Sequence, residues 1–239
     1  MPFLQNVTSK SKIDRLGERL KANQATEEDL RLLDEFRRSF SPAYESVIRI
    51  ITDQLGLKPT GRPAKSTTSI SDKLNRESIR LTQIQDIAGC RLVVSDIPEQ
   101  DRVVSDLLRA FPEAKVTDRR KLPSHGYRAV HVVVNLQEKP IEIQVRTSLQ
   151  HLWAELSEKV SDIIDPVIKY GGGDETIRSA LNTNSGFIAN IEMLEQSPLV
   201  GHPAAGEDIR NLREGMLRFL ESAITKVAQL QRGKDDISD

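Results

Sequence analysis

The amino-acid sequence predicts an α+β fold, a mixed β-sheet core with helices before and after it. Three observations carry this expectation. Residues 11 to 56 place apolar side chains at helical spacing. Residues 126 to 147 alternate in hydropathy on two arms around a turn, the pattern of a β-hairpin. From Ser148 onward the helical spacing returns. Helices, then β-α-β with a hairpin, then helices is the order of a sheet with helices packed around it.

Within the first helical stretch, Thr26-Glu27-Glu28-Asp29 has the form of a capping box, and Leu30, Leu33 and Phe36 follow at helical spacing. Ser41-Pro42 begins another helix, with proline at its first position. Its stripe of Tyr44, Val47, Ile48, Ile51 and Leu55 ends at Gly56. These helices are expected to pack rather than to act. Leu57 to Lys65 reads as a basic loop broken by Pro59, Gly61 and Pro63, and a helix begins within Ser66 to Leu74. Here Arg62, Lys65, Lys73, Arg76 and Arg80 outnumber Asp72 and Glu77. Hydroxyls and cations around a helix N-terminus suit an anion, because free amides and the helix dipole add to the side-chain charge. A solvated basic loop has the same composition.

Asp86 stands just before Ala88-Gly89 and a buried strand that runs to Val94. That position suits a hard-metal ligand and equally an ordinary turn residue. A helix from Pro98 to Phe111 and a short strand at Ala114 to Thr117 lead to a second basic loop, Asp118 to His125. In the hairpin, Val130, Val132 and Val134 lie on one side, with Ala129, His131 and Val133 on the other. After a turn at Gln137-Glu138-Lys139-Pro140, Ile141, Ile143 and Val145 share one face, and Glu142, Gln144 and Arg146 the other. The next helix, Ser148 to Ile164, carries Leu149, Leu152, Trp153, Leu156 and Val160 as its apolar stripe. Gly171-Gly172-Gly173-Asp174 is a break without the strand context of a nucleotide-binding loop. Two further helices, about 174–196 and 206–232, flank a linker from Pro198 to Pro203, and the tail from Lys234 to Asp239 is polar.

Composition narrows the classes. A net charge of −1 with 29% charged residues advertises neither a nucleic-acid nor a membrane partner, so local charge must carry any such argument. With Cys90 as the single cysteine there is no disulfide framework and no cysteine metal site, and a reducing cytoplasm is the expected compartment. The first residues lack the apolar core of a signal peptide, and no run reaches the ~20 apolar residues of a membrane helix.

Taken together, the polar features are two basic loops, Asp86, Tyr127 and Glu142. Transfer from a nucleoside triphosphate needs such a set: carboxylates for Mg²⁺, cations for the phosphate chain, a base for the attacking hydroxyl and an aromatic face for a nucleobase. Residues from about 58 to 160 resemble the synthetase domain of the RelA/SpoT family, the alarmone synthetases. The matching residues are Arg62 with Lys65, Ser69, Ile70 and Lys73; Asp86-Ile87 with Gly89 and Arg91; Gly126-Tyr127-Arg128 with His131; and Glu142-Ile143-Gln144 with Arg146-Thr147. The resemblance implies a nucleotidyltransferase-like core over residues 58–165, with a helical extension over 1–57 and C-terminal helices over 166–239. It implies transfer of the β,γ-pyrophosphate of ATP to the 3′-hydroxyl of a guanosine nucleotide, giving (p)ppGpp-type alarmones, with Mg²⁺ as cofactor. By that resemblance Arg62 and Arg91 sandwich the adenine, and Lys65, Ser69 and Lys73 hold the phosphates of ATP. Asp86 and Glu142 bind the metal, with Glu142 also placed to help deprotonate the attacking hydroxyl. Tyr127 stacks on the acceptor base, with His131, Lys121, Arg128 and His125 on the acceptor side.

The sequence departs from the family pattern at Arg62 to Lys65, one residue longer than the commonest spacing. It departs again at His125, where alarmone producers commonly carry asparagine, and at Lys121, further from Gly126 than the usual lysine. With four histidines and no His-Asp pair, the family's hydrolase domain is not expected. Two alternatives stay open: a toxin pyrophosphorylating the 3′-terminal adenosine of tRNA, for which Arg119-Arg120-Lys121 would meet the RNA backbone, and an inactive nucleotide sensor. An antitoxin protein and a homo-oligomer built through the C-terminal helices are the partners these readings bring with them.

Overall fold

A computed structural model describes residues 9–235, the last four by backbone alone. The reading of the polar tail falls outside the described residues from residue 236 on, as does that of the first eight residues. In chain order the elements are α1 (Lys10–Lys21), α2 (Glu27–Arg38), α3 (Ser41–Arg49), β1 (Thr60–Arg62), α4 (Thr67–Arg76), β2 (Ala88–Val94), α5 (Ile97–Ala110) and β3 (Lys115–Asp118). They continue with β4 (Val130–Leu136), β5 (Lys139–Thr147), α6 (Ser148–Ile163), α7 (Glu175–Glu195) and α8 (Pro203–Asp235). The five strands form one mixed sheet in the order β1-β2-β5-β4-β3, and the α+β class holds.

The chain gathers into two compact units. The first takes in the residues up to Arg91 together with Ala110–Lys115 and Val132–Ile143. The second takes in Leu92–Arg109, Val116–His131 and the residues from Gln144 on.

In the first unit, α1 and α2 are short, and tertiary contacts hold them. Thr26 and Asp29 close the expected capping box at the start of α2, and Arg19 of α1 donates from Nε to Asp29 at 2.8 Å. One carboxylate thus caps its own helix and ties down its neighbour. Leu16, Leu33, Phe40, Val47, Ile51, Ile70 and Leu74 are buried. At α3 the structure differs from the expectation: the helix starts at Ser41, Pro42 follows the first position, and Phe40 caps it without a side-chain bond. Its stripe runs on through a wider turn, Ile50–Gln54, and stops at Gly56 with φ +65°. A second difference is β1, which lies in the stretch read as loop. Thr60–Arg62 pairs antiparallel with β2. Three exposed residues between two prolines show no alternation, so their strand character comes from the neighbour.

β4 and β5 are joined by Gln137-Glu138 alone, at φ 51° and 59°, a tighter turn than the four residues expected. A two-residue hairpin of the type that matches strand twist requires positive φ at both positions, and here neither residue is glycine or asparagine. Ile141 and Ile143 are fully buried, as the alternation required.

In the second unit, α6, α7 and α8 pack around Leu149, Trp153, Leu156, Leu181, Ile188, Ile191 and Leu220. Thr147 and Gln150 form a capping box that starts α6 directly at the end of β5. The indole N–H of Trp153 donates to the Leu181 carbonyl at 2.9 Å, confirming Trp153 as core. α8 begins at Pro203, three residues before the expected start, after a short turn over Pro198–Gly201. No helix among the described residues is long and apolar enough to cross a membrane.

Candidate active site

In the first unit, strand register builds the site. β1 faces β2 with Thr60 opposite Arg91, Gly61 opposite Cys90 and Arg62 opposite Gly89. Because side chains alternate, Arg62 and Arg91 rise from one face while Gly61 and Cys90 belong to the other. Diagonal positions on neighbouring antiparallel strands lie about 7–8 Å apart, room for a flat ring between two guanidinium groups. Gly89, directly opposite Arg62 and two residues before Arg91, has no side chain. A Cβ there would fall 2.5 Å from the Glu142 carbonyl oxygen and 3.4 Å from the Glu142 Cβ. Only glycine lets β5 come that close, and Glu142 therefore borders the bare position. On the other face, Gly61 lies directly under the Tyr44 hydroxyl, which leaves no room for a larger residue.

Asp86 lies just ahead of β2 and is 8% exposed. Lys65 donates to its Oδ2 at 2.8 Å and Lys73 to its Oδ1 at 2.9 Å, while an Arg62 nitrogen lies 3.7 Å from Oδ2. The Lys65 amide also donates to the Ile87 carbonyl at 2.7 Å, fixing the loop against the residue that follows Asp86. Burial works against ionising Asp86, but Lys65 and Lys73 together outweigh it and hold the carboxyl well below the usual range. For Lys65 the balance reverses. Burial pushes its pKa down, and Arg62 and Lys73 push the same way against the attraction of Asp86. One anion among three cations gains from each of them, whereas each cation gains from one anion and is repelled by its fellows. With Arg91 and Glu142 added, four cations stand against two carboxylates. The excess is positive and suits an anionic ligand.

Ser69 occupies the first turn of α4. Its amide donates to the N-cap Ser66 at 3.2 Å, and its hydroxyl is bonded to that of Ser66 at 2.8 Å. Arg37 of α2 donates to Thr67 in the same turn at 2.6 Å, a cation at this helix start that the sequence reading missed. Nothing local signals it, since the partners stand thirty residues apart. Cys90 is buried. Burial first, and the Glu142 charge second, push its thiol up to about 12.

In the second unit, Ser124 and Tyr127 bridge a tight turn, with His125 and Gly126 at φ 51° and 85°. A Cβ on Gly126 would come within 2.7 Å of the Trp153 ring and 2.9 Å of the Asn182 side chain. Ser185 of α7 donates to the Gly126 carbonyl at 2.6 Å. The turn that presents Tyr127 is thus clamped by α6 and α7. The His125 ring lies against Gly171. The Tyr127 hydroxyl is 2.8 Å from His131 Nε2, and their rings meet edge to face at 5.6 Å.

Lys121 and Arg128 line a cavity of about 510 Å³ with Arg120, Asp101, Asp118 and Glu192. Arg128 is committed to structure, donating to Ser185 at 3.2 Å and to the Arg120 carbonyl at 2.8 Å. Arg120 is held by Asp118 at 2.9 Å and Asp101 at 2.7 Å, so the basic run before Gly126 is partly neutralised from within. Glu192 is buried, with its pKa raised by burial, and takes hydrogen bonds from Thr147 at 2.6 Å and Gln150 at 3.0 Å. A glutamate in a helical run carries no mark of this in the sequence.

The structure therefore brings Arg62, Lys65, Lys73 and Asp86 into contact, sets Arg91 on the face of Arg62, and borders it with Glu142. In the second unit it joins Tyr127 to His131 and places Lys121 and Arg128 around a cavity, with His125 at the turn.

Residues 61–161 match the family model described as the region found in RelA / SpoT proteins. Over that stretch this chain is similar to the RelA/SpoT region. It is 36% identical over 122 residues to an uncharacterised protein of Mycobacterium bovis, covering 49% of this chain and 45% of that one. It is 33% identical over 122 residues to the GTP pyrophosphokinase YwaC of Bacillus subtilis, covering 44% of this chain and 58% of that one. The match thus spans about half the length of these curated relatives. Among solved structures, the small alarmone synthetase 1 of Bacillus subtilis bound to its product pppGpp superposes with a TM-score of 0.55 at 25% identity, over 75% of this chain and all of that one.

Proposed function

We propose that this chain is a Mg²⁺-dependent pyrophosphokinase that transfers the β,γ-pyrophosphate of ATP to the 3′-hydroxyl of GDP or GTP. The observation that carries this is the convergence of Lys65, Lys73 and Arg62 on the buried carboxylate of Asp86. Such a cluster binds a triphosphate if the lysines pass from the carboxylate to the phosphate oxygens. In this reading Arg62 and Arg91 flank the adenine, and Lys65, Lys73 and Ser69 hold the phosphate chain.

Asp86 and Glu142 supply the donor chemistry for Mg²⁺, which takes one or two carboxylates together with substrate phosphates; when bound it neutralises charge on the transferring group. The acceptor 3′-oxygen bonds to the β-phosphorus, the bond from that phosphorus to the oxygen bridging the α-phosphate breaks, and AMP leaves. Glu142 receives the hydroxyl proton. Tyr127 stacks the acceptor base, with His131 beside it. The catalytic core is assigned to residues 58–165.

The small-nucleotide acceptor is preferred to tRNA because Asp118 and Asp101 already engage Arg120, which weakens the case for an RNA-backbone patch. The purified protein, given Mg²⁺ and γ-labelled ATP, is offered GDP, GTP, ATP or deacylated tRNA in turn. Label on GDP or GTP supports the proposal, and label on tRNA alone sinks it in favour of the toxin. Glu142→Gln should abolish transfer with the fold intact; near-normal turnover would overturn the assigned role. Exposed Leu212, Phe219 and Leu230 on α8 support a homo-oligomer, which a light-scattering mass tests.

A further inference from the structure

Arg146 is 3% exposed; burying a guanidinium is costly unless its N–H groups are satisfied, and its buried Nε finds no hydrogen-bond partner among the described residues. One of its nitrogens donates to the Tyr127 hydroxyl at 3.0 Å and to Gln144 Oε1 at 2.8 Å. Its guanidinium carbon also lies 5.0 Å from the centre of the Tyr127 ring, within the range of a cation–π contact. The same side chain therefore holds Tyr127 by its face and by its hydroxyl. His131 Nε2 meets that hydroxyl at 2.8 Å, and the turn before Tyr127 is clamped at Gly126 by Ser185. Lys, with a single point of charge, could not serve face and hydroxyl together, whereas a planar fork can.

We infer that Arg146 is a positioning residue for the acceptor. It fixes the Tyr127 ring in one orientation before any base arrives, so that stacking need not order the side chain. This rests on the reading of Tyr127 as the stacking partner of the acceptor base. Pre-ordering one aromatic side chain changes affinity by up to about tenfold, and the effect belongs in the acceptor KM rather than in the chemical step.

The test has two arms. In the first, the protein is labelled at tyrosine ¹³Cζ. It has three tyrosines, so Tyr127→Phe assigns one resonance, and Tyr44 and Tyr170 serve as internal references. Arg146→Met should move the Tyr127 resonance and leave the other two in place; an unmoved Tyr127 resonance overturns the inference. In the second arm, Arg146→Met should raise the acceptor KM about tenfold, with kcat and the ATP KM changed by less than about twofold, and Arg146→Lys should recover only part. In a Tyr127→Ala background the same Arg146→Met change should alter the acceptor KM by less than about twofold; effects that multiply would show that Arg146 acts independently and refute the inference. A protein that transfers to no acceptor refutes the proposed function, while the resonance arm still decides whether Arg146 holds Tyr127.

Discussion

Asp86→Asn removes one charge and leaves two ammonium groups where a carboxylate stood 2.8 and 2.9 Å from them. The groups are shielded, with side-chain exposures of 12% for Asp86, 11% for Lys65 and 21% for Lys73, so little solvent screening applies. Removing one partner of a buried ion pair costs about 3–5 kcal/mol. The low end, about 3 kcal/mol, is expected, because Lys73 can turn toward solvent and Lys65 already holds its proton less firmly than usual. For a chain of this length that is a fall of about 6–12 °C in Tm. In the wild type the folded-state carboxyl is depressed, so its contribution is present above the ordinary carboxylate pKa, about 4, and is lost as pH falls through the lower folded value. The variant lacks that acid-sensitive increment. A depressed Lys65 binds fewer protons folded than unfolded, so raising the pH should return part of the variant's stability. Urea unfolding followed by circular dichroism measures both, and adding pyrophosphate without metal should stabilise the variant more than the wild type. Equal stability within about 1 kcal/mol, a third of the expected cost, or equal stabilisation by pyrophosphate, would refute the account of the cluster.

Four further outcomes follow from particular residues. Gly89→Ala should destabilise by about 2 kcal/mol or more, a cost typical of forced backbone movement, and should reduce transfer, since its Cβ would meet the Glu142 carbonyl. Gly186→Ala, in α7 with open space around it, should instead stabilise by about 0.5–1 kcal/mol in the same melts. Native Cys90, its thiol pushed up to about 12, should resist iodoacetamide at mildly alkaline pH and react once the chain is unfolded. His125→Asn should keep its Tm, because asparagine tolerates φ 51°, whereas His125→Val should lose about 1–3 kcal/mol to backbone strain.

The elements legible in the sequence were those whose pattern is local. Val132, Val134, Ile141 and Ile143 announce their strands because every second side chain is apolar, and Thr26 announces α2 because its capping partner is three residues away. β1 was not legible: it is a strand only because β2 offers it hydrogen bonds, and Pro59, Gly61 and Pro63 argue for a loop. The short hairpin turn escaped because Gln137-Glu138 lacks the residues that usually mark positive φ. At the candidate site, residue types and order pointed to Asp86, Glu142 and the basic loop. What joins them was hidden. The register that puts Arg62 opposite Gly89, the Tyr44 hydroxyl over Gly61 and the use of Arg128 as a strut all depend on partners far along the chain.

Trp153 is the single tryptophan of the chain. Its ring lies against Gly126, one residue before Tyr127, while its indole N–H is anchored on α7. Intrinsic emission from this protein therefore originates beneath the turn that presents the tyrosine. A nucleotide that settles on Tyr127 and shifts Gly126 changes the surroundings of the fluorophore directly. With Tyr127 as the proposed stacking partner of the acceptor base, Trp153 would serve as an optical probe of acceptor binding, readable in a titration without label or coupled reaction.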